Sequence, residues 1–295
     1  MKIYIASSEK YLGKIKEDIY IRDTYRSKGF PCEISTLDDI AKISKPSDVV
    51  ILKSVWGYHL HHREFLKNIS VLKKKNIKLI NDYQFIFWNI DKYKYLSELK
   101  HINAVPTALL NFKNTETASE IRNIILLANK KLNTDILVIK PCISESGYLT
   151  FKYDKTKDNK ATIALLKKNK QVNFVAQPYR PDILTGELSA VIINGIPLYG
   201  VKRFPGIFSE KLDPKYVRFN SLPGGIRQEV DILKIFLLKK FGTFPNICRV
   251  DFLKISNIGY EISEVEVIDP DLFFRHIPGR MREKVTSMIY KTFIV

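Results

Sequence analysis

Over its first 81 residues the chain alternates short apolar runs with helix-length amphipathic stretches, and that alternation limits the folds open to it. KIYIA at 2–6 reads as a strand, followed by a helix to about Ser27. Gly29-Phe30-Pro31 turns the chain into CEIST. SDVVILKS is another buried strand, EFLKNISVLKKKN a helix and KLIN a strand. β and α segments in this order imply a parallel, doubly wound α/β unit, here ending near Asn81.

The pattern then changes. Asn81 and Asp82 suit the cap of a helix running through Phe87, Trp88 and Tyr95 to Leu99. VPTALL reads as a strand, and residues 115–131 as a helix capped by Thr115 or Thr117. Two strands flank a loop between Ile136 and Tyr153, and a helix at 157–170 precedes a strand at Val172–Gln177. After Tyr179 the chain is mostly antiparallel β: ELSAVII, an Asn194-Gly195 turn of the kind that closes hairpins, then PLYGVKR. A helix at about 225–241 leads to a last hairpin.

At 295 residues the chain can bury a core large enough for two or three subdomains. No apolar run approaches a membrane span, and MKIYIASSEK lacks a signal peptide's apolar stretch. Cys32, Cys142 and Cys248 are widely separated and form no CxxC pair. These features lead us to expect a soluble, cytoplasmic protein with reduced thiols. The formal net charge is +17, which raises nucleic-acid or anionic-membrane binding. Against that, the lysines are spread along the whole chain. The runs at Lys73–Lys75 and Lys167–Lys170 sit at expected helix ends, where cations favour the dipole. No nucleic-acid-binding signature is present, and small anionic substrates explain a basic cleft equally well.

RVDFLKISNIGYEISEVEVIDP, from Arg249 to Pro270, carries the sharpest chemical signal. A symmetric loop that sets Ile255 against Tyr260 puts Asp251 opposite Glu264 and Arg249 opposite Glu266, all on one face. Val250, Phe252, Val265 and Val267 take the other face, toward the core. Facing carboxylates destabilise a sheet by up to about 1 kcal/mol, so a cation should compensate. Arg249 supplies one charge. Magnesium would supply two, since it takes one or two carboxylates together with substrate phosphates. A solvated acidic face bridged to lysines is the simpler alternative.

Three other stretches bear on chemistry. Lys140 ends a strand before Ser144-Glu145-Ser146-Gly147, a small-residue loop whose amides suit phosphate, although a plain hairpin turn has the same composition. The patterns GxxxxGK(S/T) and GxGxxG are absent. A two-residue turn at Asn194-Gly195 sets Glu187 opposite Lys202 and Ser189 opposite Gly200. That pair suits ribose and phosphate, or simply a cross-strand ion pair. His59, His61 and His62 in GYHLHH lack partners at zinc spacing and read as solvated or substrate-facing.

Taken in order, a helix lysine at Lys92, Lys140 before a small-residue loop, Gln177, Glu187, RVD and ExE make the sequence similar to ATP-grasp enzymes. SDVVILKSVWGYH, INDYQFIFWNIDKYKYL, VAQPYRPDILTGELSAVIINGIPLYGVKRFPG and EVEVIDPDLFF resemble the glutathione-synthetase-like branch, and within it the group containing the D-cycloserine-forming ligase. The motifs run from about Asp48 to Phe274. The resemblance implies an α/β (α+β) chain in three parts. A preATP-grasp domain at 1–84 lies on the acceptor-substrate side; a small subdomain at 85–179 and a large one at 180–295 clamp ATP.

Carried over residue by residue, Lys92 and Lys140 match the nucleotide-binding lysines and Ser144, Glu145, Ser146 and Gly147 the loop over the phosphates. Gln177, Pro178 and Tyr179 match the adenine-contacting hinge, Glu187 the ribose ligand, and Lys202 or Arg203 a phosphate contact. Arg249 matches the arginine that steadies an acylphosphate, and Asp251, Glu264 and Glu266 the magnesium ligands. Catalysis would therefore fall to Arg249, Lys140 and Lys202. Glu266 stands where the family often has Asn, Lys53 where Arg is usual, and Trp56-Gly57-Tyr58-His59 in place of WDYH. Lys53, Trp56, Tyr58 and His59 belong to the part expected to face the acceptor substrate.

The activity implied is an ADP-forming carboxylate–amine ligase using ATP and Mg2+, with Mn2+ an alternative ion. It would act through an acylphosphate on a small amino-acid-like molecule or a peptide, in a chain that can form homo-oligomers. Two other expectations stand beside it: intramolecular cyclisation, as in the D-cycloserine-forming relatives, and a non-catalytic nucleotide- or nucleic-acid-binding protein.

Overall fold

A computed structural model of the chain describes residues 1–204, 214–256 and 259–294. Positions 257 and 258 of the expected hairpin loop, and Pro205-Gly206 of one motif segment, lie outside the described residues.

The first part contains β1 (Ile3–Ser7), α1 (Lys16–Ser27), β2 (Cys32–Thr36), α2 (Leu37–Ile43), β3 (Val49–Ser54), α3 (His62–Lys74) and β4 (Lys78–Ile80). The strands pair in parallel in the order β2-β1-β3-β4. β1 and β3 are buried along their whole length, as apolar strands covered on both faces must be. Helix α2 was not expected. At seven residues it is too short to show periodicity, but the Thr36 side chain caps it by accepting from the Asp39 N–H.

The middle part contains α4 (Tyr83–Asn89), α5 (Lys92–Glu98), β5 (Ala108–Leu110), α6 (Ala118–Leu132), β6 (Ile136–Pro141), β7 (Phe151–Asp154), α7 (Lys160–Lys168) and β8 (Phe174–Pro178). Its sheet is antiparallel in the order β5-β8-β6-β7. A single helix to Leu99 was expected; there are two. Asp91 leaves helical dihedrals (φ −109°, ψ 110°), and its carboxylate accepts from the N–H groups of Tyr93 and Lys94. Asp competes for backbone donors in this way, so inside an apolar pattern it starts a new helix. Asn81 is not a cap. Its amide bridges the carbonyls of Ile247 and Val267, each at 2.6 Å, and Asp82 alone caps α4.

The last part contains β9 (Glu187–Ile193), β10 (Ile196–Arg203), β11 (Lys215–Arg218), α8 (Gly224–Phe241), β12 (Ile247–Lys254), β13 (Tyr260–Glu266) and α9 (Gly279–Ile294). The sheet is antiparallel in the order β11-β10-β9-β12-β13. Strand β11 and helix α9 were not expected, although Met281, Val285, Met288 and Ile289 carry a helical repeat. Val285, Ile289 and Phe293 of α9 join one core with Ile3, Ile51, Val191 and Ile193, so the first and last sheets share their packing. The core of the middle sheet draws only on residues between Ala108 and Ala176. Phe85, Trp88 and Tyr95 pack against the last sheet. Among the described residues no helix is long and apolar enough to cross a membrane.

Two irregularities set the registers that matter. In β10 the pairing with β9 shifts between Pro197 and Tyr199, where proline has no N–H to continue the ladder. Glu187 therefore faces Arg203, not Lys202, and Ser189 faces Val201, not Gly200. In the last hairpin, Lys254 pairs with Tyr260 and the Ile255 N–H reaches the Gly259 carbonyl, one residue away from the expected turn. A bulge opposite Asp251 and Phe252 then absorbs Ser263, so Asp251 still faces Glu264 and Arg249 faces Glu266.

Candidate active site

The middle and last sheets, with the loops after β1 and β3, enclose a cleft of about 670 Å³. Lys92 reaches it because Asp91 starts α5 one residue earlier, while the Lys92 N–H donates to the Cys142 carbonyl at 2.8 Å. Lys140 reaches it from the end of β6. Their ammonium groups meet Glu264 at 3.0 and 3.6 Å, and Lys92 also donates to the Ser144 carbonyl. Burial alone would raise the Glu264 pKa, but the two lysines outweigh it and hold the carboxyl below its ordinary value.

Asp251 lies beneath the cleft, 1% exposed. It accepts from Ser189 Oγ at 2.6 Å and from Arg249 Nε and Nη2 at 3.0 Å each, and it pairs with Arg203. Burial works to raise its pKa; Arg203 and Arg249 overcome that and hold it at about 2. Arg249 also pairs with Glu266. Burial dominates at Glu266, Asp251 and Glu264 add repulsion, and Arg249 offsets only part, so its pKa is pushed up to about 7. Arg203 meets Glu187 at 2.9 Å, and Ser263 Oγ donates to Glu187 at 2.8 Å. Glu187 titrates above its ordinary range, first because it is buried. Ser263 is the residue the bulge adds, so the irregularity supplies this donor.

The Ser144–Gly147 loop lines the cleft, with Ser146 and Gly147 at positive φ (50° and 72°). Glu145 accepts from the Gly57 N–H and lies 2.9 Å from His59 Nδ1. The loop is thereby tied to the segment after β3. Gln177, Pro178 and Tyr179 line the cleft at the end of β8, with Gln177 Nε2 donating to Thr107 Oγ1 at 3.0 Å.

Some expected residues lie elsewhere. Lys202 does not line the cleft; its Nζ sits 5.5 Å from the Phe204 ring centroid, because the register shift gives the inward position to Arg203. Lys53 is buried against Glu17 at 2.5 Å and the Pro270 carbonyl at 2.9 Å, away from the cleft. Trp56 and Tyr58 line it, whereas His59 is taken up by Glu145. Among the described residues no three His, Cys, Asp or Glu side chains are gathered as a ready-made metal cage: Asp251, Glu264 and Glu266 are each engaged by a cation.

Several contributors carried no sequence signal of their own. Ser189 and Ser263 act only through the registers just described. Asn89 reaches the cleft while its amide bonds the Val265 carbonyl at 2.7 Å, steadying β13. Asp269 follows β13 and lines the cleft as well.

No family model matches the chain. Over 139 residues it is 24% identical to a glutathione synthetase of Prochlorococcus marinus subsp. pastoris. That match covers 46% of this chain and 41% of the relative, less than half of the relative's own length. The crystal structure of D-cycloserine synthetase DcsG superposes with a TM-score of 0.80 at 16% identity, covering 99% of both chains. D-alanine–D-alanine ligase from Bacillus anthracis, complexed with ATP, gives 0.67 at 15% identity over 100% of this chain and 97% of that one. With its parallel α/β unit followed by two antiparallel sheets that border the cleft, the chain has the ATP-grasp fold.

Proposed function

We propose that the chain is an ADP-forming, magnesium- and ATP-dependent carboxylate–amine ligase acting on a small amino-acid-like molecule or a peptide. The observation that carries this reading is one cleft in which Lys92, Lys140, Arg203 and Arg249 interleave with Glu187, Glu264 and Glu266, with Asp251 paired to Arg203 and Arg249 just beneath it. Phosphoryl transfer asks of a protein mainly positioning and charge neutralisation, and four cations beside a small-residue loop meet that demand.

In this reading Lys92 and Lys140 leave Glu264 for the phosphates of an incoming nucleotide. Arg203 takes the phosphate role that Lys202 is turned away from. Glu187, oriented by Ser263, accepts from ribose hydroxyls, and the chain around Gln177 to Tyr179 borders the base. Arg249 steadies the acid as it becomes an acylphosphate, and an amine then displaces phosphate. A protein nucleophile is not required. The thiols are poor candidates: burial pushes Cys32 and Cys142 up to about 12, and Cys248 higher.

The donor set fits magnesium. The ion uses few carboxylates and relies on substrate phosphates, so no closed protein cage is expected before nucleotide binds. The protonated tendency of Glu266 marks a buried site short of positive charge. Asp251, Glu264 and Glu266 would hold the ion, which when bound neutralises charge on the phosphate oxygens. Manganese shares this preference for oxygen.

The test mixes the chain with ATP, magnesium and candidate acids, with hydroxylamine added to trap an acylphosphate. D-Alanine and short peptides come first, given what the relatives are named for. Hydroxamate formation with matching ADP release is expected. Folded Asp251→Asn or Glu266→Gln protein with full ATP turnover would defeat the assignment of the carboxylates.

A further inference from the structure

Past the phosphate-facing cations the cleft runs toward the carboxyl ends of the first sheet's strands, and its chemistry changes there. Tyr11, Trp56 and Tyr58 line that end, with Tyr11 and Trp56 edge-to-face at 5.1 Å. Asp269 lines the same cleft, close enough to Tyr58 for its charge to act on that hydroxyl, and is only 9% exposed. Among the described residues no hydrogen bond reaches its carboxylate, and Oδ2 is sealed from water.

The nearby cations are committed elsewhere. Lys53 serves Glu17 and the Pro270 carbonyl. Arg249 serves Asp251 and Glu266, and Arg275 holds Asp271 at 3.0 Å. Burial pushes Asp269 well above the usual carboxylate range, and Glu145 and Glu266 add repulsion that Lys53 and Arg249 do not cancel. Glu145 Oε2 is likewise buried and unpartnered. A buried carboxylate is tolerated when a partner arrives to pair with it. An aromatic wall beside an unpaired carboxylate is the chemistry that receives an ammonium group, by ion pairing and by attraction to the ring faces.

We propose that Asp269 binds the ammonium group of the amine-bearing substrate at the first-sheet end of the cleft. This rests on the ligase reading and adds to it the residue that selects the amine. A divalent cation is the competing occupant.

The test measures ADP release by the full chain with ATP, magnesium and a panel of D- and L-alanine, D- and L-serine and alanine dipeptides, each paired with its N-acetyl form. Free amines should stimulate on the order of 10-fold more than their acetylated partners. Asp269→Asn should raise KM for the best amine by a similar factor, while displacement of a fluorescent ATP analogue changes less than about 2-fold. Asp269→Glu should recover part of the loss. The thermal midpoint of Asp269→Asn should hold, because no hydrogen bond among the described residues depends on the Asp269 carboxyl group, whereas a merely structural aspartate would lower it. An amine KM unmoved by Asp269→Asn, a shift in the magnesium midpoint instead, or a panel without preference for free amines overturns the proposal. Wild-type protein that binds no ATP analogue with magnesium overturns the ligase reading itself, and this inference with it.

Discussion

Glu266 holds its proton toward neutral pH because burial and two carboxylate neighbours outweigh one guanidinium. The consequence for stability has a definite sign. Near pH 4.5, the ordinary value, the unfolded chain begins to lose this proton, while the folded chain keeps it until about pH 7. Folding stability therefore falls as pH rises through that window, by up to about 3 kcal/mol from this residue in the absence of magnesium. Urea midpoints at pH 5 and pH 7 should show the drop, and Glu266→Gln should remove its share. Glu187 and Asp269, also raised by burial, keep the remainder. Asp251 behaves in the opposite way: its contribution is present above about pH 4 and is lost as pH falls toward about 2.

At the scale of elements, the breaks in regular structure build the site. Asp91 interrupts an apolar helical pattern and so presents Lys92 at the first turn of α5. Asp91→Ala should cost about 1 kcal/mol through the lost cap and raise KM for ATP as Lys92 shifts, checked by denaturation and steady-state kinetics. The hairpin motif was readable because charge alternated with Val, Ile and Phe at period two, and the facing pairs it implies are present. The Glu187–Lys202 pairing was misread because Leu198, next to Pro197 in β10, is left out of the ladder, and a period-two count cannot see the extra residue. The turn of the last hairpin was also misplaced, yet the bulge at Ser263 returned the strands to register at the carboxylates. Lys53 and Lys202 show what charge alone leaves undecided: a lysine's position in the chain does not say which anion, ring or carbonyl it finds in three dimensions.

Across the whole molecule, α9 is the longest of the three elements, with α2 and β11, that alternation and motif failed to announce. It carries no chemistry, but Ile289 is fully buried in the core shared by the first and last sheets. Ile289→Ala should cost about 2–5 kcal/mol by chemical denaturation, more than an equivalent change on a helix surface. By contrast, the middle sheet has an apolar core of its own. Polar contacts join it to the rest across the cleft, among them Lys140 with Glu264, Glu145 with Gly57 and His59, and Arg180 with Glu261. Such contacts exchange readily for water, whereas a common hydrophobic interior does not. In the proposed reaction, nucleotide entry and product escape would then be rotations of the middle sheet, as an upper jaw, against a lower jaw welded by α9.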